Sequence, residues 1–237
     1  MANPVIKNMN AFDVANNLSF SGLRKNAKGG KMIYLNVGGG GSKVYFELPV
    51  LRAPFGLSSF TDQKSGAVSY SLDVSLDDAN TVAKIRDIES AVLSHVVNNS
   101  EELLGRSYSI DVIKQALFKS CIRESKDGKY APTLKLKVLH NDGVFSVDAY
   151  DSSKKQTTLD SLQKGQRVRT IIDFNQIWII DNKFGLSVRL KQVMMMPTTE
   201  LKGCAFSSTS ATDDDGVEDD FVDNVVNSND NSEQEDV

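Results

Sequence analysis

Two cysteines in 237 residues, Cys121 and Cys204, with no CxxC and no histidine pair nearby, leave neither a disulfide framework nor a zinc site. Both are expected to be buried or inert thiols in a reduced cytosolic or nuclear setting. Long apolar runs are missing too. The most apolar windows, IWII and VMMM, fall far short of the roughly 20 residues of a membrane helix, and MANPVIKNMNAF at the start holds no apolar stretch of the signal-peptide kind. The expectation is a soluble, unsecreted protein. Only two histidines occur, His95 and His140, in different predicted elements, and no nucleophile with its base, metal cluster or phosphate loop accompanies them. GGGGSK at 38–43 lacks the GxxxxGK spacing and leads into strand-like sequence, so it reads as a hairpin loop. No enzyme, metal or cofactor is expected.

The last absence is of one sign of charge. From Asp213 to Val237 there is no Lys or Arg, yet eleven of the 31 acids lie there: Asp213, Asp214, Asp215, Glu218, Asp219, Asp220, Asp223, Asp230, Glu233, Glu235 and Asp236. The other 20 acids share residues 1–212 with all 27 Lys and Arg, so a body of +7 carries a tail of −11 under a mild net charge of −4. Such opposed blocks point to nucleic acid or another polyanion as the partner of the body. From Ser207 onward Ser, Thr, Asn and Asp dominate, too polar to offset ordering entropy, so residues 207–237 are expected to be a disordered acidic tail with one aromatic, Phe221. Residues 1–206 are expected to form one domain.

Within that body LSFSGL, KMIYLNV and KVYFELPV, separated by Gly-containing segments, predict a β-meander from Asn17 to Val50. AVSYSLDVSL alternates Val68, Tyr70, Leu72, Val74 and Leu76 on one side against Ser and Asp on a face expected to be wet. Val82, Ile85, Ile88 or Glu89, Val92 and Val96 then recur at helical spacing, with Ser75 or Asp77 placed to cap and Asp78 to favour the first turn. SIDVIKQALFK fits a short helix or an irregular lead into a strand. APTLKLKVLHNDGVFSVDAYD reads as a hairpin about NDG, and RVRTIIDFNQIWII pairs with FGLSVRLKQV across DNKFG. A few strands, a long helix and about four more strands suit a mainly β fold, a Greek-key barrel of the OB-fold kind with an inserted amphipathic helix.

Cations alternate with apolar residues on these strands. Leu134, Leu136 and Val138 turn inward while Lys135 and Lys137 turn out; Leu186, Val188 and Leu190 turn inward while Arg189 and Lys191 turn out. Arg167 and Arg169 add a pair, and Arg24, Lys25, Lys43 and Lys183 stand in or near loops. Each alone is ordinary solubility chemistry, but together with aromatic faces they suit single-stranded nucleic acid, in which cations track phosphates and bases stack at roughly 1–3 kcal/mol each. Stacking candidates are Tyr34, Tyr45, Phe55, Phe60, Tyr70, Trp178 and Phe184, at least half of them expected in the core and Tyr70 foremost.

At LPVLRAPFGLSSFTDQKSGAVSYSLDVSL, YAPTLKLKV and NQIWIIDNKFGLSVRLKQV, with the acidic tail behind them, the chain resembles the OB-fold single-stranded DNA-binding proteins that large nucleocytoplasmic DNA viruses share with certain short-tailed phages. The resemblance covers most of residues 15–237. It implies a homodimer that coats single strands in viral DNA replication, recombination and repair, in the host nucleus or at a cytoplasmic replication site. It also implies recruitment of the replicative DNA polymerase and helicase–primase through tail residues Asp213 to Asp223, including Phe221. Tails of that family often end in an aromatic residue, whereas here Phe221 is interior and Val237 is last. An RNA-binding OB protein and an acidic-tailed chaperone for basic proteins are the alternatives; the +7 body opposes the second.

Overall fold

The computed structural model describes residues 5–26, 29–37 and 43–198. Cys204 and the tail residues Asp213, Asp214, Asp215, Glu218, Asp219, Asp220, Phe221 and Asp223 lie outside them.

Five strand paths close into a barrel. The first path runs through Leu51–Arg52 and Leu57–Thr61, the second is Val68–Ser75, the third Thr133–Val138, the fourth Arg167–Ile180 and the fifth Lys183–Met195. The second pairs antiparallel with both the first and the third. The third meets the fifth in parallel, Lys137 beside Arg189, and the fifth runs antiparallel to the fourth. The fourth returns to the first through Arg167 opposite Arg52 and Val168 opposite Leu51. The resulting ring, 1-2-3-5-4-1, is the Greek-key order of an OB-fold.

The first path serves two neighbours because it bends at Ala53–Gly56. Gly56 takes φ +65°, which a side chain would resist, and a Cβ there would sit 3.4 Å from the Lys164 backbone nitrogen. The fourth and fifth strands are joined by Asp181 and Asn182, both at positive φ, the two-residue turn whose twist matches antiparallel strands. Inward positions fill the core: Leu72 and Val74, Leu134 and Leu136, Ile172 and Phe174, Val188 and Leu190.

The helix Ala79–Asn98 sits between the second and third barrel strands. Its buried side is Thr81, Ile85, Ile88, Glu89, Val92 and Val96, joined to the same cluster as the barrel interior. Burying each aliphatic side chain contributes about 1.5–3 kcal/mol, more than helix propensity supplies. Glu89 tolerates burial because its carboxylate accepts from Ser120 Oγ and from the Cys121 N–H at 2.7 Å. Burial and that same carboxylate push the Cys121 thiol up, away from the reactive thiolate. The cap is Asp78, which accepts from the Thr81 N–H at 2.8 Å; Ser75 instead donates to Asp77. SIDVIKQALFK forms helical turns over Ile110–Val112 and Ile113–Leu117, then the short strand Phe118–Lys119.

Two expectations fail on register. Lys31–Val37 and Val44–Glu47 do not pair with each other as a meander; both lie along the fourth strand, Tyr34 opposite Gln176 and Phe46 opposite Ile172. A 14-residue strand is long enough to seat both in succession. The NDG hairpin is confined to His140–Asn141 and Val144–Phe145, while the Asp148–Tyr150 segment joins the fifth strand in parallel.

Candidate nucleic-acid interface

Directly opposed residues of a sheet share a face, so the register fixes what the barrel presents outward. One row crosses five strands: Ser58, Ser71, Lys137, Arg189 and Asp173. Asp73 and Lys135 stand opposite each other two residues along. Among the described residues Lys135, Lys137 and Arg189 have no ion-pair partner. Lys137 opposite Arg189 sets like charges on adjacent strands about 4.8 Å apart, an arrangement that costs energy without an anion. Partial burial, then Arg189 and Lys135, lower the Lys137 pKa below its ordinary value.

The polar side of the second strand is not wet as expected. Ser71 and Asp73 are buried, each directly opposite a longer side chain of the third strand, Lys137 and Lys135. Oδ1 of Asp73 and Nε of Arg189 are buried without a hydrogen-bond partner. Such orphaned atoms are costly unless something else meets them.

Aromatic rings edge this face. Phe60, 63% exposed, lies opposite Ser69 on the outward side of the first path. Trp178 is half-buried on the outward side of the fourth strand, its ring over Gly185, where a Cβ would fall 2.9 Å from the indole. Met32 lies opposite Trp178, and Arg24 opposite Met32, with the Arg24 guanidinium 5.5 Å from the Tyr34 ring centre. At the far end Lys191 sits 5.3 Å from the centre of Tyr45.

Other expected site residues are engaged elsewhere. Phe184 is fully buried against Phe118, in phase with Leu186 and Val188, and offers no surface for stacking. Tyr70 is half-buried at the barrel's end, with its ring edge-on to Phe145 at 5.0 Å and close to His140. Lys43 is held by Asp173 at 3.0 Å and by Asn175, and Arg169 by Glu47 at 2.6 Å, so their charges are already answered. Arg167 is exposed opposite Arg52, while Lys25 and Lys183 are exposed at short turns. Phe55 projects beside a separate groove with Arg52, Arg123, Lys129 and Tyr130. Sequence reasoning missed those four because only the fold brings the loops before the third strand to the bend of the first path. Asp73 was missed because alternation alone made it solvent-facing.

Solved structures similar to this chain include the single-stranded DNA-binding protein from bacteriophage Enc34 in complex with ssDNA, at 10% identity and TM-score 0.42, covering 76% of this chain and 97% of that one. Another is gp2.5, a single-stranded DNA-binding protein encoded by bacteriophage T7, at 13% identity and TM-score 0.45, covering 74% and 98%. No curated protein sequence matches. The model of a family described as a family of unknown function, DUF5871, matches residues 62–205, from the loop after the first barrel path through the fifth strand, and the chain belongs to that family.

Proposed function

We propose that the protein binds single-stranded DNA without sequence preference, across the outward face of the second, third and fifth barrel strands. The observation that carries this is the unpaired cluster of Lys135, Lys137 and Arg189, edged by the rings of Phe60 and Trp178. Phosphates answer the like charges, and bases stack on the rings. A strand also brings the donors and acceptors that Asp73 Oδ1 and Arg189 Nε lack. In an OB-fold the second and third strands and the loops after the first and fourth are where oligonucleotides bind.

The setting is viral DNA replication, recombination and repair, with the protein as a homodimer, as the resemblance implies. The acidic residues from Asp213 to Asp223 and Phe221 recruit the polymerase and helicase–primase and compete with DNA for the cationic face. The opposed charges, −11 against +7, support the competition. A competition of labelled oligo-dT against duplex DNA and RNA of equal length at fixed salt tests the reading. Oligo-dT is expected to prevail; equal or tighter binding of the duplex overturns it, and preference for RNA replaces DNA as the ligand.

A further inference from the structure

A groove of about 650 Å³ opens where the second strand ends and the third begins. Ser75 and Thr133, opposed across those strands, line it, so it continues the row that holds Asp73 and Lys135. Two rings stand in its wall, Phe55 at 56% exposure and Tyr130 at 78%.

Phe55 is exposed on a rigid mount. It sits in the Ala53–Gly56 turn after Pro54, whose ring fixes φ. Ala53 donates its N–H to the Gln166 carbonyl at 2.8 Å, and its own carbonyl accepts from the Gly165 N–H at 2.8 Å. With the backbone of the turn fixed in this way, stacking on the phenyl has only the side chain's own rotamers left to order.

Arg52, Arg123 and Lys129 line the same groove, none of them ion-paired among the described residues. Arg52 also stands directly opposite Arg167, a second like-charge pair that an anion would relieve. Of the two carboxylates in the wall, Glu124 is bound to Arg86 at 2.9 Å and Asp77 accepts from Ser75 Oγ.

We propose that this groove takes the continuation of the bound DNA strand, with bases stacked on Phe55 and Tyr130 and phosphates against Arg52, Arg123 and Lys129. The proposal rests on the reading of the barrel face as a single-stranded DNA interface and lengthens that site around the end of the second and third strands.

The test compares the full chain with Phe55→Ala/Tyr130→Ala and Arg123→Ala/Lys129→Ala, by anisotropy of labelled oligo-dT of graded length. All four side chains are exposed, so melting temperatures are expected to match. The aromatic variant is expected to bind the shortest retained oligonucleotide as the parent does, and to lose about 5- to 150-fold per stacked base on longer ones. The basic variant is expected to lower the log-affinity against log-salt slope by about 0.7 per phosphate no longer neutralised, on long oligonucleotides alone. Parent and aromatic variant binding equally at every length overturns the groove and leaves the face intact. A parent that binds no oligo-dT overturns both.

Discussion

Lys137 is where the charge of the face is most concentrated, with Lys135 two residues along its own strand, Arg189 beside it and the Asp73 carboxylate next in the sheet. Its lowered pKa means that the free protein holds the Lys137 proton less firmly than the unfolded chain does. Charged Lys137 therefore works against folding at neutral pH, and that cost falls away as pH rises through its folded pKa toward the ordinary value. A phosphate reverses the sign by favouring the protonated form. Affinity for oligo-dT is thus expected to fall over the pH interval just below the ordinary lysine value of about 10.4, before an isolated lysine titrates. Binding in that interval takes up protons, measurable as a calorimetric enthalpy that changes with the ionisation enthalpy of the buffer. Lys137→Arg keeps the charge throughout and is expected to bind with a flatter profile. Identical profiles for the two proteins would show that Lys137 does not meet phosphate.

A strand places its cations as a set, so their joint removal tests the third and fifth strands as elements. Replacing Lys135, Lys137, Arg189 and Lys191 by Ala is expected to weaken binding and to reduce the salt slope by roughly 0.7 for each phosphate left without its cation. A folded quadruple variant with an unchanged slope would place the phosphates elsewhere. That Lys135, Lys137 and Arg189 face outward was legible from alternation once Leu134, Leu136, Val188 and Leu190 are taken as core, whereas Lys191 stands at a register shift between buried Leu190 and Val193, where the period of two breaks. The helix was legible for the same reason: Ile85, Val92 and Val96 recur at its period, and even buried Glu89 falls in phase. Partnership was legible for the fourth and fifth strands, joined across DNKFG, but not for the strands before the helix. Lys31–Val37 and Val44–Glu47 look like adjacent hairpin arms, and only the length of the fourth strand, which seats both, decides otherwise. Phe184 was misplaced because a KFG turn suggests exposure, whereas inward phase with Leu186 begins at that residue. Ion pairs such as Lys43 with Asp173 join positions 130 residues apart and leave no local mark.

At the scale of the whole molecule the governing feature is segregation of charge along the chain. All 27 basic residues precede an eleven-carboxylate segment whose charge has the sign of DNA. On the proposed reading the cationic face accepts any base sequence without hydrogen-bond readout, so other polyanions compete for it, and this chain's own acidic C-terminal segment is the competitor proposed. The strength of that competition depends on screening: the Debye length is about 30 Å at 0.01 M salt and about 8 Å at 0.15 M. DNA suffers the same screening, but a tethered competitor stays at fixed effective concentration, so its removal matters most where its own attraction is strongest. Truncation after Ala211 is therefore expected to tighten oligo-dT binding, most at low salt, with the advantage shrinking toward 0.15 M, and, if the tail has the recruiting role proposed for it, to abolish binding to a replicative polymerase and helicase–primase. Equal oligo-dT affinities for the truncated and full-length chains across that whole range would remove the competitive role and leave only the recruitment proposed for the tail to be tested.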